Sequence, residues 1–217
     1  MRAGRTLRLD AVRGLAVAVV VVYHCFTLAV AGARPDGAVG PGWWLLGAGS
    51  LGVDLFFVLS GFLLAGSWER CRRRHPEGVG AALREYARNR SLRILPAYWA
   101  SLAVLLPLAG SALFSAPDGW GRVALLATLQ GYVVKDLPGQ VNLVYWSMTT
   151  EVHFYLVLPA VAWVLRRHGA RVLLPACLAT TLAWRLWVAG DLPDSWLLGR
   201  LDQFVAGMVA AGLVAAA

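Results

Sequence analysis

The stretch Trp43–Gly66, WWLLGAGSLGVDLFFVLSGFLLAG, decides the fold class, because twenty-four residues pass with Asp54 as their only charge. As a helix rising about 1.5 Å per residue it would be ~36 Å long, enough to cross the ~30 Å hydrocarbon core of a bilayer. Five more blocks of similar length and apolarity occupy roughly residues 15–33, 94–113, 144–165, 172–189 and 199–217. The sequence therefore predicts an all-α, polytopic transmembrane bundle of about six spans. A further stretch, Val123–Val134, has only about 12 residues, which suits a re-entrant or interfacial segment rather than a crossing.

Composition points the same way. Of the 217 residues 59% are hydrophobic and 15% charged, whereas soluble domains carry about a quarter charged residues, so a water-soluble globule is excluded. The net charge of +8 lies between apolar blocks rather than along a polar face, which argues for membrane topology and against nucleic acid. Cys25, Cys71 and Cys177 lack the spacing of a disulfide framework or a zinc site, and no metal is expected.

Charge distribution sets the expected orientation. The first 13 residues hold Arg2, Arg5, Arg8 and Arg13 against Asp10, residues 67–93 hold eight arginines against three glutamates, and Arg166, Arg167 and Arg171 follow the fourth block. Placing all three regions in the cytoplasm satisfies the positive-inside rule only if 123–134 does not cross. A bacterial-type plasma membrane with a cytoplasmic N-terminus is the resulting expectation. The start also imitates a signal peptide, but its apolar run is longer than a usual signal core and contains His24.

Ionisable residues inside spans are expensive, so each is a candidate functional group. Arg13 and His24 are eleven residues apart, three helical turns, and face the same way, with Asp10 within reach of Arg13. His24 and Asp54 fall at a common depth of ~16 Å, which permits a His–Asp contact, while Gly47 and Gly61 flank Asp54 at seven-residue spacing and would let another helix approach. A histidine bonded to a carbonyl and an aspartate capping a helix break are the structural alternative. Ser147, Glu151 and Tyr155 repeat every four residues and line one face of the fourth span, where Trp146 reads as an interfacial anchor. Arg90 and Arg93, three apart at the start of the third span, can reach one anion, phosphate being the natural partner. Their alternative reading is a pair of topological charges, the reading that Arg70, Arg72, Arg73 and Arg74 receive. Gly47–Gly52 matches a nucleotide-loop pattern but follows no strand, so a nucleotide fold is excluded.

Taken together, five motifs resemble the acyltransferase 3 family of multispanning membrane acyltransferases. They are Arg8–Ala16 with His24, Gly52–Phe62, Arg90–Tyr98, Trp146–Glu151 with Phe154 and Tyr155, and Arg200–Phe204 with Gly207. Met148 stands where leucine is usual. Family members usually have about ten spans, so the expectation is a single acyltransferase 3-like domain over 1–217, incomplete at its C-terminus. The resemblance implies transfer of an acyl group, often acetyl, from acyl-coenzyme A to a hydroxyl of a sugar, cell-envelope glycan, lipid-linked glycan or glycosylated natural product. It also singles out the first-span histidine and the paired arginines.

On this reading His24 is the general base, Asp54 or Glu151 stabilises its charge, Arg13, Arg90 and Arg93 bind the co-substrate, and Ser147 and Tyr155 line the substrate pocket. An acyl-histidine intermediate is the two-step variant. A proton-coupled transporter or flippase component using His24, Asp54 and Glu151 is the rival from another class, and a non-catalytic membrane scaffold is the third.

Overall fold

A computed structural model describes residues 11, 14–23, 25, 51–109, 111–131, 137, 141, 142, 144–187 and 196–216. The described elements are α1 (Gly14–Tyr23), α2 (Leu51–Arg74), α3 (Val79–Ala109), α4 (Ser111–Ser115), α5 (Gly119–Ala127), α6 (Tyr145–His168), α7 (Ala170–Trp187), a 3-10 turn (Leu197–Arg200) and α8 (Leu201–Ala216). The all-α membrane bundle is borne out. Four described helices are long and apolar enough to cross a membrane: α2, α3, α6 and Leu197–Ala216. The expected spans at 15–33 and 172–189 do not join them, since the described part of α1 has ten residues and α7 carries Arg171 and Arg185 near its ends.

Residues 67–93, expected to be a basic loop, are instead helical. α2 continues to Arg74, a short turn follows, and α3 starts at Val79 and runs for 31 residues. At ~1.5 Å per residue α3 is ~46 Å long and outruns the bilayer core, so its first turns form a basic extension of the span. Hydropathy marks where a helix meets lipid rather than where it ends. At this turn His75 contacts Glu77 at 2.7 Å and Glu85 at 2.9 Å, and Arg74 donates to Glu85 at 2.7 Å.

The bundle is drawn together where α2 crosses α8. A Cβ on Gly61 would run into the Phe204 carbonyl, and one on Gly207 into the Val58 carbonyl. Two glycines facing each other's backbones allow a close approach that any side chain would prevent. Phe57, Phe154 and Phe204, all fully buried, fill the space beside the crossing, with Phe154 stacked on Phe204 at 4.1 Å and Phe57 at 4.9 Å from Phe204. α1 packs against the start of α2, where a Cβ on Gly52 would lie 3.0 Å from Val20 Cγ2 and 3.2 Å from the Ala16 carbonyl oxygen.

Two local devices fix the remaining helices. Gly169, at φ 76°, ends α6 and sends the chain directly into α7, its N–H bonding the Leu165 carbonyl at 2.9 Å. That left-handed turn favours glycine. The nine-residue α5 is too short to cross, and α3 holds its C-terminal end: Tyr98 Oη donates to the Leu126 carbonyl at 2.7 Å and Trp99 Nε1 to the Ala127 carbonyl at 3.0 Å. Carbonyls left over at a helix end thereby find donors.

Gly61→Ala and Gly207→Ala are each expected to cost about 1–3 kcal/mol by overpacking, visible as lost thermal stability in detergent. Gly212→Ala, with open space around it, should be neutral or slightly stabilising. Tolerance of alanine at Gly61 and Gly207 would refute the close crossing.

The turn also predicts a pH response. Hydrogen bonding to Glu77 is the main cause that raises the His75 pKa above its ordinary value. Its contribution is therefore fully present below the ordinary histidine value and is lost as pH rises through the elevated one. Hydrogen exchange across 75–85, corrected for intrinsic rates, should quicken over that interval in the wild type and stay flat in His75→Gln.

Candidate active site

Glu151 stands at the centre of the described polar residues. It lies two turns into α6 and is only 8% exposed. Ser60 Oγ from α2 donates to its Oε1 at 3.1 Å, and Tyr155 Oη, one turn further along α6, donates to the same oxygen at 2.9 Å. A buried carboxylate requires such donors, and two hydroxyls on one oxygen fix its rotamer.

Arg90 adjoins this group from α3. Its Nη2 donates to Ser67 Oγ at 2.7 Å, and its guanidinium carbon lies 5.9 Å from the Tyr86 ring centre and 6.0 Å from that of Tyr155. These distances are at the outer limit of cation–π attraction. Arg93, one turn later, is exposed and makes no hydrogen bond or ion pair among the described residues. Arg90, Arg93, Ser60, Glu151 and Tyr155 together line a cavity of about 140 Å³. Two guanidinium groups against one carboxylate give it a positive balance suited to an anion.

Glu151 also lines a second cavity, of about 370 Å³. Its walls are apolar, with Val17, Val20 and Val21 from α1, Val53 and Phe56 from α2 and Met148 from α6, and Ser147 and Glu151 supply polar groups. Glu151 thus belongs to both cavities. The predicted face of Ser147, Glu151 and Tyr155 runs along the two in order, with Ser147 in the larger and Tyr155 in the smaller. Ser147 Oγ itself donates to the Val144 carbonyl at 2.9 Å.

Asp54 has partners that spacing alone did not identify. Its Oδ1 accepts from Arg200 at 2.8 Å and from Gln203 at 2.9 Å. The helix that approaches beside Asp54 and Gly61 is therefore α8. Its start is held in turn by α7: Arg185 donates Nε and Nη2 to the Gly199 carbonyl, and Thr181 Oγ1 donates to the Leu198 carbonyl and Asp202. Trp146, read from sequence as an interfacial anchor, is instead half-buried, packed edge-on to Phe57 at 5.9 Å and lying under Arg200 at 5.7 Å. Arg13 and His24 lie outside the described residues, as do Asp10 and Gly47.

Ser60, Ser67, Tyr86, Arg200 and Gln203 complete these contacts and were not singled out as site residues. Ser60 sits within the Gly52–Phe62 motif and Arg200 and Gln203 within Arg200–Phe204, so a signal was available; Ser67 and Tyr86 had none.

A bundle with these motifs at these positions defines a class. The acyltransferase domain model of the acyltransferase 3 family matches residues 6–216, and the chain belongs to that family. Among curated proteins it is 29% identical over 174 residues to the exopolysaccharide production protein ExoZ of Rhizobium meliloti (strain 1021), covering 74% of this chain and 50% of that one. It is 28% identical over 216 residues to the putative membrane-bound transacylase BcsY of Komagataeibacter xylinus, covering 92% of this chain and 49% of that one. The chain spans about half the length of these curated relatives. No solved structure matches it.

The hydroxyls on Glu151 can be weighed by a double-mutant cycle. Ser60→Ala and Tyr155→Phe should each lower stability by about 1.5–3 kcal/mol, the range for hydrogen bonds to charged groups, and this cost should largely vanish in a Glu151→Leu background. Unchanged costs in that background would show that the two side chains act through other contacts.

Proposed function

We propose that this chain acts as a membrane-bound O-acyltransferase that moves an acyl group from acyl-coenzyme A to a hydroxyl of a cell-envelope polysaccharide or related glycoside. The observation that carries the reading is the position of Glu151, a buried carboxylate in the wall between an arginine-lined cavity and an apolar one. Family membership supports acyl transfer. The names of the relatives, one in exopolysaccharide production and one a putative transacylase, support a polysaccharide acceptor.

In this mechanism Arg90 and Arg93 hold the phosphates of the donor and its thioester points toward Glu151. His24 takes the proton of the acceptor hydroxyl as the oxygen attacks the thioester carbonyl. The carbon–sulfur bond then breaks, and the coenzyme A thiolate recovers the proton from the imidazolium. Glu151 stabilises the imidazolium while it exists, and Arg13 orients the donor. Ser147 and Tyr155 border the space for the reacting groups. Asp54, engaged by Arg200 and Gln203, holds α8 against α2 and acts on the site through that packing.

Membrane orientation follows from charge. Arg166 at the end of α6 pairs with Glu69 near the end of α2 at 2.8 Å, so the basic ends of these two helices lie together. The positive-inside rule assigns that end to the cytoplasm of a bacterial-type plasma membrane, where acyl-coenzyme A is available.

Thiol release from acyl-coenzyme A in the presence of a polysaccharide acceptor tests the assignment. His24→Gln should bring release to background with normal membrane insertion, and a fully active variant would remove His24 as the base. Lysine at Arg90 and Arg93 keeps the charge but loses the forked donors, and should raise the KM for the donor several-fold or more, about 1 kcal/mol or above. Arg73→Lys is the control, since that side chain is 76% exposed and paired with Glu69. Equal tolerance at all three positions would return Arg90 and Arg93 to a topological role.

A further inference from the structure

The larger cavity has a use that acetyl transfer does not require. We propose that it receives the acyl chain of the donor, and that the chain transferred is of medium length, roughly six to ten carbons, rather than acetyl. The inference rests on the acyl-coenzyme A reading above and adds the class of acyl group.

A water molecule occupies about 30 Å³ of liquid, and a methylene group fills a comparable space. The space is half open along α1, where Val17 and Val21 are 48% and 54% exposed, and an acetyl methyl would fill little of its 370 Å³, whereas bound ligands approach close packing with their walls. Wall chemistry comes next. Valines from α1 and α2, Phe56 and Met148 offer a long chain dispersion contact and no hydrogen bonds, while the polar members Ser147 and Glu151 both come from α6. Each methylene withdrawn from water strengthens binding by about four-fold, so a chain seated here would dominate donor selection.

Continuity gives the occupant. Glu151 is shared with the cavity that contains Arg90 and Arg93, so a donor gripped there by its phosphates, with its thioester near Glu151, has this apolar space directly ahead of its acyl carbons. Met148, on the same helix one turn before Glu151, lines that space.

Cys25 supplies a direct probe, because it lines the larger cavity and is exposed, while Cys71 and Cys177 are buried. The purified chain in nanodiscs would be treated with N-ethylmaleimide, and alkylation of Cys25 followed by mass spectrometry with acetyl-coenzyme A, octanoyl-coenzyme A or octanoate present. Octanoyl-coenzyme A is expected to slow alkylation by about five-fold or more and the other two by less than about two-fold. In parallel, Met148→Trp should lower the octanoyl-to-acetyl ratio of kcat/KM by about ten-fold, since a filled cavity excludes the longer chain.

The protection measurement needs no variant and stands if Met148→Trp fails to fold. Protection by octanoate equal to that by the thioester would overturn the proposal and make the cavity a general lipid slot. If acetyl-coenzyme A supports Arg90-dependent thiol release while octanoyl-coenzyme A neither reacts nor protects, the chain-length inference falls alone. If no acyl-coenzyme A of any length reacts or protects, the donor reading falls with it.

Discussion

The backbone approach of α2 and α8 at Gly61 and Gly207 organises the bundle. Water drives little association between helices already inside a bilayer, so close packing must supply the attraction. Bringing the two backbones together places Phe204 between Phe57 and Phe154 and thereby recruits α6 to the same core. It also sets the start of α8 beside Asp54, where Arg200 and Gln203 complete an ion pair and hydrogen bond that would be costly to leave unmade. A methyl group at either glycine would therefore disturb a helix pair, an aromatic stack and a polar contact at once.

Around that pair the polar side chains join three helices. Ser60 on α2 and Tyr155 on α6 share Glu151, Ser67 on α2 engages Arg90 on α3, and the Tyr155 ring lies beside the same arginine. Such groups are satisfied only when the helices stand in one arrangement, so the site and the bundle specify each other. Glu151 consequently has a fixed position between two spaces of opposite character, the property the proposed chemistry uses: anionic groups on one side and an apolar chain on the other.

Much of this was legible from the residues because a bilayer imposes a simple code. Blocks of apolar residues announced the helices, and the four-residue repeat from Ser147 to Tyr155 announced a polar face that does run along both cavities. The three-residue spacing of Arg90 and Arg93 likewise placed them in one pocket. Helix ends were less legible, since α2 continues as a helix after its sequence turns basic and α3 begins while the sequence is still basic, and hydropathy registers lipid rather than backbone hydrogen bonding. Asp54 and Arg200 are 146 residues apart, a separation at which one sequence gives no pairing signal. Trp146 was misread because tryptophan suits both a membrane interface and a buried aromatic contact.

In the proposed mechanism, donor phosphates held at Arg90 and Arg93 direct an acyl group past Glu151 into the space between α1, α2 and α6. Photocrosslinking with an octanoyl-coenzyme A that carries a diazirine at the end of its chain tests this most directly. Peptide mapping should find the adducts in residues 14–25, 51–56 and 144–151, and competition by unlabelled octanoyl-coenzyme A should remove them. Adducts concentrated on the exposed face of α7 at Leu178, Leu182 and Leu186, insensitive to that competitor, would contradict it.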